Sequence, residues 1–234
     1  PNRCILLILF ASAGLTGCTN IGNPGSARHR SAPGPCIIQA HRGAGDLAPE
    51  NTLPTFELAW GLGVIPEADV RTTRDGVIVA FHDKDFKRIV KNAPAELADK
   101  SVRDLTWAEL VRLDVGAYKG PEFEGQRIPR MDEVFAAMRH RPKRWLYLDI
   151  KDVDLEQLAG MVREYGIQRQ VILASTHDEL IIRWMELLPE SRTLLWMGGT
   201  EARLKQRLNK LRDANFPGVT QLQIHVKVSR LDSP

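Results

Sequence analysis

The feature that most constrains the fold is an alternation of short β-type runs with stretches of helical periodicity, starting near residue 36. In the helical stretches apolar residues recur on one face, as Leu155, Leu158 and Val162 do. Such alternation predicts a parallel sheet with helices packed outside it, an α/β fold. The predicted strands are Cys36–Ala40, Ala68–Val70, Val77–Phe81, Trp145–Ile150, Val171–Ala174, Thr193–Met197 and Val219–Val226.

These seven strands are one fewer than the eight that close a (β/α)8 barrel. We therefore expect a TIM-type barrel that lacks its eighth strand in this chain. Residues 84–130 show no clear strand and are rich in charge, and only Trp107–Leu113 has helical spacing there. We expect this segment to be a small insertion after the third strand, lying over the barrel mouth.

The amino-terminal segment differs from the rest in composition. Residues 1–17 carry Arg3 and then an apolar stretch shorter than the roughly 20 residues that span a membrane, which predicts a signal peptide. Leu15–Cys18 resembles a bacterial lipobox, so we expect a lipidated Cys18; an ordinary cleaved signal, or a short anchor with Cys18 incidental, stays open. Residues 18–35 are rich in Gly, Pro and Ser and predict a flexible tether.

From this pattern we expect an exported bacterial lipoprotein, periplasmic or anchored to the outer membrane. Its folded domain would occupy residues 36–234 and be truncated at the C-terminus. The only membrane contact expected is the N-terminal anchor. Cleavage before Cys18 would leave Cys36 as the one free thiol, so no intramolecular disulfide could form.

The charge balance excludes one class of partner. The chain has 32 basic and 29 acidic residues, a formal net charge of +3. Nucleic-acid binding would call for a stronger basic excess, so none is predicted. The composition gives no indication of oligomeric state.

Polar side chains follow four successive predicted strands. His41 and Arg42 come after the first strand, and Glu67 and Asp69 frame the second. The third and fourth strands are followed or ended by further polar pairs, His82 with Asp83 and Asp149 with Lys151. Active sites of α/β barrels form at the carboxyl ends of the strands, where we expect all of these groups to meet.

Three carboxylates at one place would repel one another unless a cation neutralises them. Glu67 and Asp69 are two residues apart, so in a strand their side chains share one face. Together with Asp149 they offer the oxygen ligands that a hard divalent cation, Mg²⁺ or Ca²⁺, prefers. No Cys or His cluster has the spacing of a zinc site.

Two histidines and two cations complete a pattern that suits phosphodiester cleavage. His41 and His82 can exchange protons near neutral pH, and Arg42 and Lys151 can bind phosphate oxygens. Structural alternatives stay open for each group: buried histidines with satisfied hydrogen bonds, a solvated strand edge, an ordinary surface pair, or a loop cation.

Four segments carry a family resemblance. "AHRGAGDLAPENT", "EADVRTTRDGVIVAFHD", "GQRIPRMDEV" and "LYLDIK" resemble the glycerophosphodiester phosphodiesterase family in order and separation. The resemblance implies a TIM barrel that hydrolyses glycerophosphodiesters to glycerol 3-phosphate and an alcohol. It assigns catalysis to His41 and His82, phosphate binding to Arg42 and Lys151, a supporting role to Glu50, and one divalent cation to Glu67, Asp69 and Asp149.

Two departures from the family pattern stand out. The third carboxylate is usually Glu, whereas Asp149 is one methylene shorter, and no segment matches the aromatic eighth strand. Two rival functions therefore stay open: a phospholipase-type enzyme acting on intact phospholipids, and a catalytically inactive phosphate-binding lipoprotein.

Overall fold

The computed structural model describes residues 37–225 apart from residues 92, 95 and 98. The predictions for the signal peptide, Cys18, the tether and Cys36 lie outside the described residues. Within the described part, no helix has the length and apolar character needed to cross a membrane.

Seven strands form close to their predicted places and build one curled sheet. Its order is β1-β2-β4-β5-β6-β7, with parallel neighbours throughout, and β3 pairs only with β2. The sheet is thus part of a barrel whose edges are β1 and β7, consistent with an incomplete TIM-type barrel. The strands are β1 (Gln39–Ala40), β2 (Ile65–Thr72), β3 (Ile78–Ala80), β4 (Leu146–Asp152), β5 (Val171–Ser175), β6 (Arg192–Gly198) and β7 (Gln221–His225).

The direction of β3 corrects one sequence prediction. β3 runs antiparallel to β2, with Val70 opposite Ala80 and Thr72 opposite Ile78. Only residues 73–77 connect the two strands, whereas a parallel crossover needs about a dozen residues or more. Asp75 and Gly76 lie in this tight connection, where Gly76 has a φ of 81°. The third strand therefore forms a hairpin and is no member of the parallel barrel.

The first strand is shorter and more exposed than predicted. Only Gln39 and Ala40 pair with β2, and both are half-buried. The side chains of Ile37 and Ile38 are 48% and 55% exposed. β1 has no described strand on its other side, so it is a short edge strand of the sheet.

Helices cover the outer face of the sheet. The hydroxyl of Thr52 caps α1 by accepting from the Thr55 N–H at 3.4 Å. α2 ends three residues before the predicted limit, at Leu110. The helices are α1 (Leu53–Gly61), α2 (Trp107–Leu110), α3 (Met131–Met138), α4 (Leu155–Glu164), α5 (Asp178–Leu187) and α6 (Glu201–Asp213), with 3-10 turns at Gly45–Leu47, Val102–Asp104, Pro121–Phe123 and Gln168–Gln170.

The two largest of three apolar clusters in the described part of the chain lie in different regions of the fold. The larger lies between the sheet and helices α1, α3, α4 and α5 and contains Phe56, Leu148 and Trp184. The smaller belongs to the insertion, where Phe86 and Leu110 pack with Val79 and Phe81 from the β3 segment. Each large side chain that is fully buried contributes roughly 1.5–3 kcal/mol. The insertion after the third strand is therefore a small lobe with its own core.

Candidate active site

Three carboxylates from β2 and β4 converge on one face of the sheet. Because the strands are parallel neighbours with Asp69 opposite Asp149, side chains on the shared face stand together. One oxygen each of Glu67, Asp69 and Asp149 lies within 4.8 Å of the others. The shorter Asp149 therefore reaches the group despite its missing methylene.

Burial makes this group of carboxylates electrostatically costly. The side chains of Glu67 and Asp69 are 3% and 1% exposed, and Asp149 is half-buried. Loss of water and the charge of Asp69 raise the pKa of Glu67 well above its usual value. Burial also raises the pKa of Asp149, against the opposing hydrogen bond from Lys151. The folded chain thus disfavours the full negative charge of these carboxylates.

These residues fit a hard divalent cation. Glu67 Oε1 is buried without a hydrogen-bond partner, although its other oxygen accepts from a backbone N–H. An orphaned anionic oxygen beside two more carboxylates is the arrangement that a metal ion completes. We refer to Glu67, Asp69 and Asp149 as the acidic triad, and it could hold one such ion.

The loop after β1 is built around the acidic triad. Arg42 has a φ of 52°, and this left-handed turn lets its N–H donate to Glu67 Oε2 at 2.7 Å. Gly43 follows with a φ of 106°, and a Cβ there would lie 2.1 Å from Cγ2 of Thr55. Glycine is thus required where the loop passes over α1.

Asn51 is a site residue that sequence reasoning missed. The next residue, Thr52, caps α1, so Asn51 does not have that role. Instead, the buried Asn51 amide donates to Asp69 Oδ2 at 2.8 Å, and its oxygen accepts from the Asp69 N–H at 3.1 Å. Its φ of 53° is one that Asn tolerates. The sequence does contain one signal. Asn51 and Thr52 are both residue types that cap helices, but α1 needs only one cap, so one of the two is left for another role.

His41 lies at the open side of the loop. Its side chain is exposed, yet the surrounding atoms remove enough water to lower its pKa, and the charge of Arg42 lowers it further. The charges of Asp69 and Glu50 oppose this shift, and His82 reinforces it. His41 and His82 are therefore electrostatic neighbours, and at neutral pH His41 favours the form that accepts a proton.

His82 reaches the same site through the hairpin. The Phe81 N–H donates to the Asp69 carbonyl at 2.8 Å, which continues the antiparallel pairing up to His82. Nδ1 of His82 lies 2.6 Å from Asp83 Oδ1. An ionised carboxylate can only accept, so Nδ1 carries the proton and Nε2 is the nitrogen left for exchange.

A chain of ion pairs links Arg42 to His82. Glu50 accepts from Arg42 at 3.0 Å and from Arg88 at 2.6 Å. Arg88 also donates to Asp83 Oδ2 at 2.6 Å, and Asp83 holds His82. Hydrogen bonds from Arg88, first to Glu50 and then to Asp83, raise its pKa further above that of a free guanidinium.

Arg88 belongs to the insertion and was absent from the sequence predictions. Its neighbour in the lobe, Tyr118, accepts from the Glu50 N–H through its hydroxyl at 3.1 Å. The insertion therefore contacts Glu50 at two points. No local motif signals these contacts, because they join residues 38 and 68 positions apart.

Lys151 stands between two triad members. Its ammonium donates to Asp149 at 2.8 Å and lies 3.1 Å from Asp69. Burial alone would lower the pKa of Lys151, but its hydrogen bonds and the two carboxylate charges outweigh this and raise it. On the opposite side, Arg42 Nε lies 3.7 Å from Asp69. Two cations thus flank the acidic triad, and they can meet an anion placed above it.

All eight site residues predicted from the sequence for the folded domain are near one another in this region, although their individual roles stay predictions. They are His41, Arg42, Glu50, Glu67, Asp69, His82, Asp149 and Lys151. A metal-binding carboxylate group, two imidazoles and two cations can together bind and cleave a phosphate ester.

Comparison with known proteins agrees with this geometry. The model of the glycerophosphoryl diester phosphodiesterase family matches residues 41–231. A glycerophosphodiester phosphodiesterase of Caldanaerobacter subterraneus is 32% identical over 146 residues, which cover 59% of this chain and 57% of that protein. YhdW of Bacillus subtilis is 33% identical over 162 residues, or 67% of this chain and 63% of YhdW.

A solved structure supports the fold. The Oleispira antarctica phosphodiesterase in complex with the product sn-glycerol-3-phosphate superposes with a TM-score of 0.61 at 26% identity, over 76% of this chain and 72% of that one. The chain spans less than two thirds of the length of the two curated relatives named above.

Proposed function

Because the chain belongs to the glycerophosphoryl diester phosphodiesterase family, we propose that it hydrolyses glycerophosphodiesters to glycerol 3-phosphate and an alcohol. The observation that carries this proposal is the acidic triad, within 4.8 Å, placed beside His41, His82 and two cations. A phosphate-binding protein without catalysis would need the cations but not two imidazoles.

The chain's own residues would perform binding and proton transfer. Arg42 and Lys151 hold the phosphate by charge-assisted hydrogen bonds. One histidine accepts the proton of the attacking water or hydroxyl, and the other protonates the departing alkoxide. His41 is assigned as the acceptor, because its surroundings lower its pKa and favour the unprotonated ring at neutral pH. Asp83 fixes the ring of His82 through Nδ1, so Nε2 delivers the proton.

We infer that the acidic triad holds one divalent cation, Mg²⁺ or Ca²⁺. Its ligands are Glu67, Asp69 and Asp149, with Asn51 and the Arg42 N–H orienting the first two. Such an ion supplies a Lewis acid that neutralises charge on the phosphate. All-oxygen ligands favour these two ions over zinc.

The proposal is tested by glycerol 3-phosphate release from glycerophosphocholine. We expect activity that EDTA abolishes and that Mg²⁺ or Ca²⁺ restores. His41→Ala should lower kcat by roughly 10²–10⁴-fold. His140→Asn is the matched control: His140 is exposed and has a φ of 60°, which Asn tolerates.

Three outcomes would contradict the proposal. Faster turnover of intact phospholipid vesicles would favour the phospholipase-type rival. Equal activity of the wild type and His41→Ala, with phosphate binding intact, would favour the inactive binding protein. Full activity after exhaustive chelation would show that the reaction does not need a metal ion.

We also propose that the protein is exported and anchored through a lipid on Cys18. The support is the sequence alone, an apolar stretch followed by Leu15–Cys18. Metabolic labelling with a fatty acid should mark the wild type and leave Cys18→Ala unlabelled. Equal labelling of both would reject the anchor.

A further inference from the structure

A polar pocket lies next to the acidic triad, and Lys151 contributes to both. It has a volume of about 310 Å³ and opens where the ends of β2 and β4 face the Val102–Asp104 turn of the insertion. We call it the basic pocket, because four of the five charged side chains that line it are cationic. The lining residues used below are Arg71, Thr72, Lys84, Arg103, Lys151 and Asp152.

Two of the four cations already have carboxylate partners. Arg103 forms an ion pair with Asp152, the one acid in the pocket wall. Lys151 forms ion pairs with Asp69 and Asp149 and also lines the pocket, so it lies between the triad and the pocket. The charges of Arg71 and Lys84 have no such partner: neither side chain forms an ion pair with a carboxylate in the described part of the chain.

Arg71 is the more telling of the two because it is half-buried. Its Nε and Nη2 donate to the His82 carbonyl at 3.2 and 2.7 Å, which is a neutral acceptor. A half-buried guanidinium whose hydrogen-bond acceptor is a neutral carbonyl is stabilised when an anion binds close to it.

Thr72, the next residue of β2, also lines the pocket. Its Oγ1 is buried and has no partner among the described residues. Two unpaired cations thus line a cavity that begins at Lys151.

We propose that the basic pocket binds an anionic group, a carboxylate or a phosphate, carried by the alcohol half of the diester. This rests on the proposed function, because Lys151 connects the pocket to the site where the scissile phosphate would lie. The volume is at the small end of ligand pockets and the walls are charged. Both features suit a polar head group and disfavour an acyl chain.

Matched substrate pairs test the proposal. Glycerophosphoserine differs from glycerophosphoethanolamine by one carboxylate, and glycerophosphoinositol 4-phosphate differs from glycerophosphoinositol by one phosphate. We expect the anionic member of at least one pair to have a kcat/KM on the order of 10-fold higher, as one charge-assisted contact allows. The pair that shows the preference identifies the anion.

Variants locate the preference. Lys84→Met should bring the ratio of the two kcat/KM values toward one. Lys87→Met is the matched control, since Lys87 is also exposed but pairs with Asp99 in the lobe; it should leave both rates unchanged. Titration calorimetry in EDTA, where no turnover is expected, gives a Kd for each compound. The ratio of the two Kd values within a pair is then compared in the same way.

The two failures can be told apart. If no diester is hydrolysed, the proposed function fails, and the calorimetric Kd ratio still decides on the pocket. Equal Kd and kcat/KM values within both pairs would overturn the pocket. A preference that survives in Lys84→Met and in Arg103→Met would also overturn it.

Discussion

At the scale of single residues, the site depends on how each carboxylate is oriented. The side-chain amide of Asn51 makes two hydrogen bonds to Asp69: it donates to the Asp69 carboxylate and accepts from the Asp69 N–H. Glu67 is held through one oxygen only, by the Arg42 N–H. The loop after β1 therefore sets the geometry of two ligands that belong to β2.

Asn51→Asp tests this orientation. The change keeps the shape and the tolerance for a positive φ, but it removes the N–H donor and adds a fourth carboxylate. We expect the metal-free protein to lose about 1–3 kcal/mol of unfolding free energy, measured with urea in EDTA, because a buried acceptor loses its partner.

Asn215→Asp is the matched control for this change. Asn215 also has a positive φ, 59°, but is exposed, so the same substitution should stay within about 0.5 kcal/mol. Equal losses for the two variants would show that the contact with Asp69 has no energetic weight.

Residue types at strand ends were sufficient to predict most of the site. Acids at positions 67 and 69 must share a strand face, and parallel pairing then brings Asp149 to them. Asn51, Asp83 and Arg88 could not be assigned in this way. Their roles come from side-chain directions and from contacts between distant segments, on which strand periodicity carries no information.

At the scale of elements, positions were more predictable than directions. The residue pattern predicts the strand at Val77–Phe81, whereas its antiparallel direction follows from the short connection at residues 73–77. His82 still arrives beside Asp69, because a hairpin returns along the strand that it left. The insertion also contributes to the site, because its residue Arg88 donates hydrogen bonds to Glu50 and Asp83.

Arg88→Met tests whether the insertion helps to position the site. Without its guanidinium, Glu50 and Asp83 lose their shared partner, so Arg42 and His82 lose part of their alignment. We expect kcat to fall by up to about 10²-fold, the cost of a small misplacement of a catalytic group. The measurement is glycerol 3-phosphate release.

Two further variants separate positioning from lobe stability. Lys87→Met changes the adjacent exposed residue and should keep full activity. Arg88→Lys, which keeps the charge but loses the fork, should recover only part of the rate. Full activity of Arg88→Met at unchanged thermal stability would contradict the positioning role.

At the scale of the whole molecule, the sheet is a single curled layer with two edges. Ile37 and Ile38 beside β1 and Ile224 on β7 are exposed at these edges. The acidic triad lies on β2, which pairs with the edge strand β1, and on β4, the next strand inward. Both of these strands pair with neighbours on each side, and the energetic cost of the site's charges is borne by the stability of the whole fold.

This cost makes stability depend on pH and on metal. Burial and the charge of Asp69 raise the pKa of Glu67 above its ordinary 4.5, and burial raises that of Asp149 above 3.8. The folded state therefore binds these protons more tightly than the unfolded chain. Their contribution is complete below the ordinary values and is lost as pH rises through the folded values.

We expect the Tm of the wild type in EDTA to fall more steeply above about pH 4 than that of Glu67→Gln, which keeps a neutral side chain at all pH values. Glu164→Gln, an exposed position, is the control and should follow the wild type. Mg²⁺ or Ca²⁺ should raise the Tm of the wild type more at pH 8 than at pH 5, because the ion replaces protons on the triad. Parallel curves for the wild type and Glu67→Gln, or a metal effect that survives in Glu67→Gln, would place the titrating charge and the cation elsewhere.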